Sequence, residues 1–317
     1  MTNDLDSIFD DSWPEDHRSG VVAVVGRPNV GKSTLINRVL GQKIAIVTPK
    51  PQTTRRQQLG IYTEAHGQIL FTDTPGLHKP HHKLGEYMVA VAEDALQDAD
   101  VILWVLDVSV EPQEGDKHIA ATISRLRGET PVVLALNKAD LLPNPNARQL
   151  NIEAYQKLAP HEGLLAISAL DGQGVNDLLQ QLMSHLPLGP RYYPADQVSE
   201  VNQRFIAAEV VREKIILNTE EEIPYSVAVE IEEFKERSAD MTYISATIYV
   251  ERDTQKGIII GKGGQAIKKM GSEARAELAN ILGTQVYLDL HVKVLKNWRS
   301  DEDLMRRMGY RLPKHDE

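Results

Sequence analysis

Gly26, Arg27, Pro28, Asn29, Val30, Gly31, Lys32 and Ser33 stand between a short β-branched run, Val21–Val25, and a helical pattern, Thr34–Leu40. Glycines in a strand-to-helix turn let backbone N–H groups close around phosphate oxygens, and a helix beginning near Thr34 adds a favourable dipole for the anion. In such a P-loop Lys32 reaches the β- and γ-phosphates and the Ser33 hydroxyl ligates Mg2+. Asp73-Thr74-Pro75-Gly76 closes the next strand pattern, Gln68–Thr72. A carboxylate at a strand's C-terminal end suits an outer Mg2+ ligand, and the Gly76 amide suits a sensor of the γ-phosphate.

A P-loop does not select its base, because kinases and ATPases use the same cradle. Selection falls to Asn137-Lys138-Ala139-Asp140, at the end of the apolar run Val132–Leu136. The Asp140 carboxylate can accept both the N1–H and the N2 amino group of guanine. Against adenine it would be left unpaired, which is costly, so the pattern predicts guanine nucleotides over adenine ones. Asn137 braces the loops and Lys138 lies along the face of the base. Ser168, Ala169 and Leu170, ending the run Leu164–Ile167, offer backbone N–H groups to the guanine O6.

These loops need a scaffold that brings strand ends together. Val21–Val25, Gln68–Thr72, Val101–Leu106, Val132–Leu136 and Leu164–Ile167 alternate with helical stretches such as Leu84–Asp98 and Gly115–Leu126. Continuously apolar strands are buried on both faces, which predicts a mostly parallel sheet with helices above and below, an α/β domain over residues 19–186. Residues 1–18 hold six acids and no period, and read as a flexible acidic tail. Pro187, Gly189, Pro190 and Pro194 can continue neither helix nor central strand, so 187–200 reads as a linker.

Residues 201–300 follow a different pattern. A helix over Val201–Leu217 leads into two alternating strands around Tyr225–Ile231 and Ile244–Val250, two short helices flanking Gly261–Gly264, and a final alternating strand over Val286–Val294. That is an α+β domain of order α-β-β-α-α-β, with 301–317 left as a tail. The whole chain carries a net charge of −10, yet between Arg252 and Arg299 nine Lys and Arg stand against four Asp and Glu. Gly261, Gly263 and Gly264 permit close backbone approach to phosphates, and Lys262 brings a cation to the same loop. Lys256, Lys268 and Lys269 extend the phosphate track, and Ile258, Ile259, Ile260 and Ile267 can floor an apolar groove for splayed nucleotides. The residues alone do not distinguish RNA from DNA.

At 317 residues the chain exceeds what one core usually organises. Its 42% hydrophobic and 25% charged residues exclude wholesale disorder. The acid-rich start and the lack of a long apolar run predict a protein that is neither secreted nor membrane-spanning. With no cysteine there is no disulfide framework, thiolate nucleophile or zinc ribbon, which fits a reducing cytoplasm. Two other classes stay open: a binding protein whose hydrolytic activity is vestigial, and a membrane-surface switch, for which the basic stretch Leu304–Leu312 is short.

The order of these motifs resembles the translation-factor-type GTPases, and Arg27–Ser33 with Gln52-Thr53-Thr54-Arg55 resembles the Era branch. Gly257–Lys269 resembles the helix-GxxG-helix core of a KH domain, and the element order that of its type II form. The resemblance covers residues ~20 to ~300 and implies a GTP-hydrolysing switch that uses GTP/GDP, Mg2+ and K+. It further implies binding to the 3′ region of 16S ribosomal RNA and help in assembling the small (30S) subunit. The expected state is a cytoplasmic monomer, with peripheral attachment at the inner membrane. The resemblance gives catalytic roles to Lys32, Asn29 and Thr54. Thr54 would close on Mg2+ beside Ser33 and Asp73, and Asn29 and Thr53 would hold K+. The glutamine that follows the Asp-x-x-Gly glycine in Ras-like enzymes is replaced by Leu77, so hydrolysis should be slow or completed by another group. Arg55 and Arg56 are expected to be solvated, and His78, His81 and His82 to form a loop without metal.

Overall fold

The computed structural model describes residues 13–77, 80, 82–142, 144–200 and 202–311. The first domain is built on a sheet of β1 (Arg18–Val25), β2 (Gln58–Glu64), β3 (Gly67–Asp73), β4 (Val101–Asp107), β5 (Val132–Asn137) and β6 (Gly163–Ala166), in the order β2-β3-β1-β4-β5-β6. All neighbours are parallel except β2, which pairs antiparallel with β3. The sequence pattern did not mark β2, because an edge strand carrying Gln58, Thr63 and Glu64 lacks a continuous apolar run.

Helices α1 (Lys32–Leu40), α2 (Lys83–Gln97), α3 (Glu114–Leu126), α4 (Pro145–Gln156) and α5 (Val175–His185) cover both faces. On one side Leu35, Ile36, Leu178 and Leu182 pack with Val22, Val24, Val101 and Leu103. On the other, Ala92, Leu96, Ile119 and Ile123 pack with Ala23, Val25, Ile102 and Trp104. Alternate residues of β1 and β4 thus enter opposite cores, as the two-residue period of a strand requires.

The second domain follows as α6 (Gln203–Asn218), α7 (Ile223–Ser226), β7 (Ala228–Ser238), β8 (Met241–Val250), α8 (Asp253–Ile260), α9 (Gln265–Leu282) and β9 (Gln285–Val294). β7 pairs antiparallel with β8, and β8 parallel with β9. Ile244, Ile248 and Val250 of β8 meet Val210 and Ile215 of α6 and Ala274 and Leu278 of α9 in the core. No helix among the described residues is long and apolar enough to cross a membrane.

Three boundary expectations change. His17 is 1% exposed, and its Nδ1 lies 2.8 Å from Gly189 O, so residues 13–18 belong to the domain; positions 1–12 lie outside the described residues. The proline-rich connection is bound along the sheet edge: Gln68 Oε1 accepts from the amides of Tyr192 (2.8 Å) and Tyr193 (3.0 Å), and Ile61 N–H donates to Val198 O at 2.9 Å. Beyond 300 the chain forms α10 (Glu302–Arg307), and Trp298, Met305 and Tyr310 pack against Leu84, Tyr87, Met88 and Val91 of α2. Apolar residues spaced for a helix found a partner in the first domain, so 301–311 is not a tail.

Arg55 and Arg56 are not solvated either. Arg55 is 2% exposed and donates to Val227 O (2.6 Å), Pro224 O (2.9 Å) and Tyr225 O (3.1 Å). Carbonyls around a helix end lack intrahelical partners, and the guanidinium fork supplies several donors at once. Burial, reinforced by the neighbouring Arg212 charge, pushes the Arg55 pKa down to about 10. Arg56 lies 4.7 Å from the Tyr310 ring centroid and donates to Met308 O. Arg55→Ala removes every one of these donors from a buried site, and unfolding stability should fall by about 3 kcal/mol. Urea denaturation measures it; a loss below about 0.5 kcal/mol, the size of an ordinary surface substitution, would mean the carbonyls are not held by Arg55.

Candidate functional site

The carboxyl ends of β1, β3 and β5 converge with the loop after β6 and the segment 46–54 on one cleft of about 500 Å³. At its phosphate end the Lys32 ammonium is buried and donates to Gly26 O (3.0 Å) and Arg27 O (3.1 Å). Burial pushes its pKa down to about 8, against the pull of Asp73. Asp73 is buried beside it, with Ser33 Oγ at 2.8 Å and Thr54 Oγ1 at 3.3 Å from Oδ2, and the two hydroxyls 3.0 Å apart. Burial raises the Asp73 pKa, and the Lys32 charge opposes it. Asp73 Oδ1 is buried without a hydrogen-bond partner among the described residues. A carboxylate and two hydroxyls at one point form a hard-oxygen set, which fits Mg2+.

Pro28, Asn29 and Thr34 line the same end, as does Gly76, where an added Cβ would lie 3.0 Å from Pro28. The Val30 side chain is in the core. Arg27 does not direct its side chain to the cleft: Nε donates to buried Asp116 at 2.7 Å and Nη1 to Gln113 at 2.9 Å, so only its backbone serves the loop. Asn29 Nδ2 donates to Pro49 O at 2.6 Å. The Thr53 hydroxyl turns inward, 2.7 Å from both Thr48 Oγ1 and Lys50 O, and its carbonyl accepts from Arg212. Thr53 lines the cleft together with Asn29, whose carboxamide oxygen Oδ1 is an acceptor.

At the base end the Asn137 carboxamide donates to Val30 O and accepts from Ala169 N–H, each at 2.8 Å. Gly31 must be glycine, since a Cβ there would lie 2.2 Å from Asn137 Nδ2. Lys138 has φ 64° and pairs with Asp107 at 2.6 Å, its stem lining the cleft with exposed Asp140 and with Leu170. Of the three amides expected to face the base, Ser168 N–H donates to Gln173 O and Ala169 N–H to Asn137, so those two are committed internally. Asp107 carries no motif of its own; ending a strand beside β5 is its one signal.

The glycine-rich turn of the second domain joins α8 to α9. Gly261 has φ 72° and packs on Ala266, where a Cβ would approach to 2.7 Å; Gly263 and Gly264 also have positive φ but border open space. Lys262, Lys268 and Lys269 are exposed, Lys269 lying 3.8 Å from Glu273, and Lys256 is half-buried. Ile258 is 58% exposed, whereas Ile259 is wholly inside the core and cannot floor a groove. Among the histidines, His82 Nδ1 caps α2 by accepting from Gly85 N–H at 3.1 Å, while His78 and His81 lie outside the described residues.

The family of 50S ribosome-binding GTPases matches residues 21–138, and the KH domain family matches residues 222–299. The chain is 46% identical over 295 residues to GTPase Era of Staphylococcus haemolyticus (strain JCSC1435), covering 93% of this chain and 98% of that protein. A variant of Aquifex aeolicus Era bound to GDP·AlF4− is similar at 40% identity and a TM-score of 0.88, over 92% of this chain and 99% of the other. Era in complex with MgGDPNP and nucleotides 1506–1542 of 16S ribosomal RNA is similar at the same identity and TM-score, over 93% and 99%.

A phosphate anion beside Lys32 favours its charged form and raises its pKa from about 8. Nucleotide binding near pH ~9 should therefore take up close to one proton, and near pH ~6.5 almost none. Titration calorimetry in buffers of different ionisation enthalpy counts those protons. No uptake at the higher pH would show that Lys32 is already charged.

Proposed function

The chain belongs to the Era family of GTPases, enzymes that hydrolyse GTP, and from that premise we propose that its cleft takes GTP while the glycine-rich turn of its KH domain takes the 3′ region of 16S ribosomal RNA. The switch serves assembly of the small ribosomal subunit in the cytoplasm, where that RNA is found. One observation carries the reading: Lys32, Ser33 and Thr54 line a single cleft together with Lys138 and Asp140, and buried Asp73 accepts from the Ser33 and Thr54 hydroxyls. A cation and hydroxyls with a carboxylate behind them, sharing a cleft with Asp140, suit a triphosphate with a guanine base.

Lys32 and the N-terminus of α1 hold the β- and γ-phosphate oxygens. Ser33 and Thr54 would bind Mg2+ directly and Asp73 from behind them; the ion neutralises charge developing on the phosphates. Asp140 accepts from the guanine N1–H and N2 amino groups, and Asn137 holds the loops that frame it. Asn29, with Oδ1 at hand, is the residue to which K+ activation would be assigned. In the second domain Lys262, Lys268 and Lys269 neutralise RNA phosphates, and Gly263 and Gly264 let the strand approach the backbone. A membrane-surface role draws little support from α10, because Met305 and Tyr310 already face α2.

Asp140→Asn should move preference from guanine to xanthine nucleotides, because an amide donor now faces the guanine N1–H while the xanthine 2-oxo group can accept from it. The GTP affinity lost is about 10²-fold or more, read by displacement of a fluorescent nucleotide. Undiminished GTP affinity would rule Asp140 out as the base selector. Gly263→Asp with Gly264→Asp places carboxylates in open space against RNA phosphate, and Asp tolerates positive φ. Affinity for a 16S 3′-end oligonucleotide should fall about 10²-fold or more while basal GTP hydrolysis is kept. Equal RNA affinity would remove the turn from the interface.

A further inference from the structure

Gln52 lines the cleft two residues before Thr54, with φ 61°, in the left-handed region. It follows Pro51, and a proline followed by a left-handed residue is the arrangement of a type II turn, whose third position normally takes Gly or Asn. Gln pays a steric penalty there that Gly does not.

That conformation is over-determined by its surroundings. Asn29 Nδ2 ties the P-loop to Pro49 O at 2.6 Å, the Thr48 and Thr53 hydroxyls meet at 2.7 Å, Lys50 N–H donates to Thr48 Oγ1 at 3.2 Å, and Arg212 holds Thr53 O. Strained residues held in this way cluster at active sites and switch regions. The turn is tied to the P-loop through Asn29 and Pro49, and Gln52 lines the same cleft as Thr54 and Gly76. Leu77, at the position of the Ras-type glutamine, is 2% exposed and packed among Ala23, Val25 and Ile102, so it cannot reach the phosphates.

We propose that Gln52 is a catalytic residue: its carboxamide orients the water that attacks the γ-phosphate, a role that Leu77 cannot fill. The inference rests on the reading of the cleft as the GTP site. The carboxamide oxygen accepts a hydrogen bond from the water, turning its lone pair to the γ-phosphorus. The water oxygen bonds to phosphorus as the bond to the β–γ bridging oxygen breaks, and that electron pair leaves on GDP. The water's proton passes to a γ-phosphate oxygen and departs with inorganic phosphate. Gln52 stays neutral and exchanges no proton.

Gln52→Gly tests this in the full-length protein, because glycine suits the left-handed backbone and removes only the side chain. Single-turnover GTP hydrolysis with Mg2+ and the Kd of a non-hydrolysable GTP analogue are measured for both proteins. Hydrolysis should fall about 10²-fold with Kd changed less than about twofold. Gln52→Glu, which keeps an acceptor oxygen, should recover part of the rate. A Gly variant hydrolysing at the wild-type rate would show that Gln52 only shapes the turn, and a rate loss matched by a rise in Kd would make it a binding group; either result overturns the proposal. A wild-type chain that binds no GTP would overturn the reading of the cleft, a failure seen in a different protein from the other two.

Discussion

A single buried carboxamide holds the cleft together. Asn137 bridges Val30 of the phosphate loop and Ala169 of the base loop, two segments more than a hundred residues apart, from one position at the end of β5. Unpaired, its polar atoms would be expensive at that depth; paired, they tie two loops at a defined separation. This works because a parallel sheet buried on both faces delivers its strand ends to one edge, so that short side chains can span neighbouring loops.

Desolvation then sets the electrostatics of that edge. Lys32 is surrounded by protein and satisfied by two carbonyl oxygens, so its charge is poorly stabilised and its pKa sits near 8. Asp73 suffers the opposite shift for the same reason. Both groups gain when a phosphate and a cation arrive, and the low dielectric makes each attraction stronger than it would be in water. The site is built for ligands of high charge, and the folded chain tolerates its two strained ionisable groups because they partly offset one another.

The segment carrying Thr54 belongs to both domains. Val47 N–H donates to Glu213 at 3.0 Å, Lys43 pairs with Glu213 at 2.7 Å, Arg212 reaches Thr53 O, and Arg55 is inserted among the carbonyls of 224–227. A nucleotide that reorders Thr54 must act on these contacts too. Whatever it does to the second domain, a ligand there must return to the nucleotide in equal free energy.

The nucleotide motifs and the fold class were legible because they are local. A glycine-lysine-serine turn between an apolar strand and a helix, or an aspartate at a strand end, expresses its chemistry within a few residues, and the change from continuous apolar runs to alternating strands after 200 separates the two architectures. The edge strand β2 escaped because its polarity hides its pairing, and Ile259 looked like groove because three consecutive isoleucines do not say which one faces inward. What the sequence determined by itself is the set of groups gathered in the cleft and at the glycine-rich turn, since backbone conformation and hydrophobic period decide them. Tertiary structure alone decided that Arg55 is an interdomain anchor, that the proline-rich connection is bound to the sheet edge, that residues 301–311 are packed, and that Gln52 lines the cleft. Their partners stand far away in the chain, 172 residues in the case of Arg55 and Val227. No local pattern carries information about a contact that only the folding together of distant segments creates.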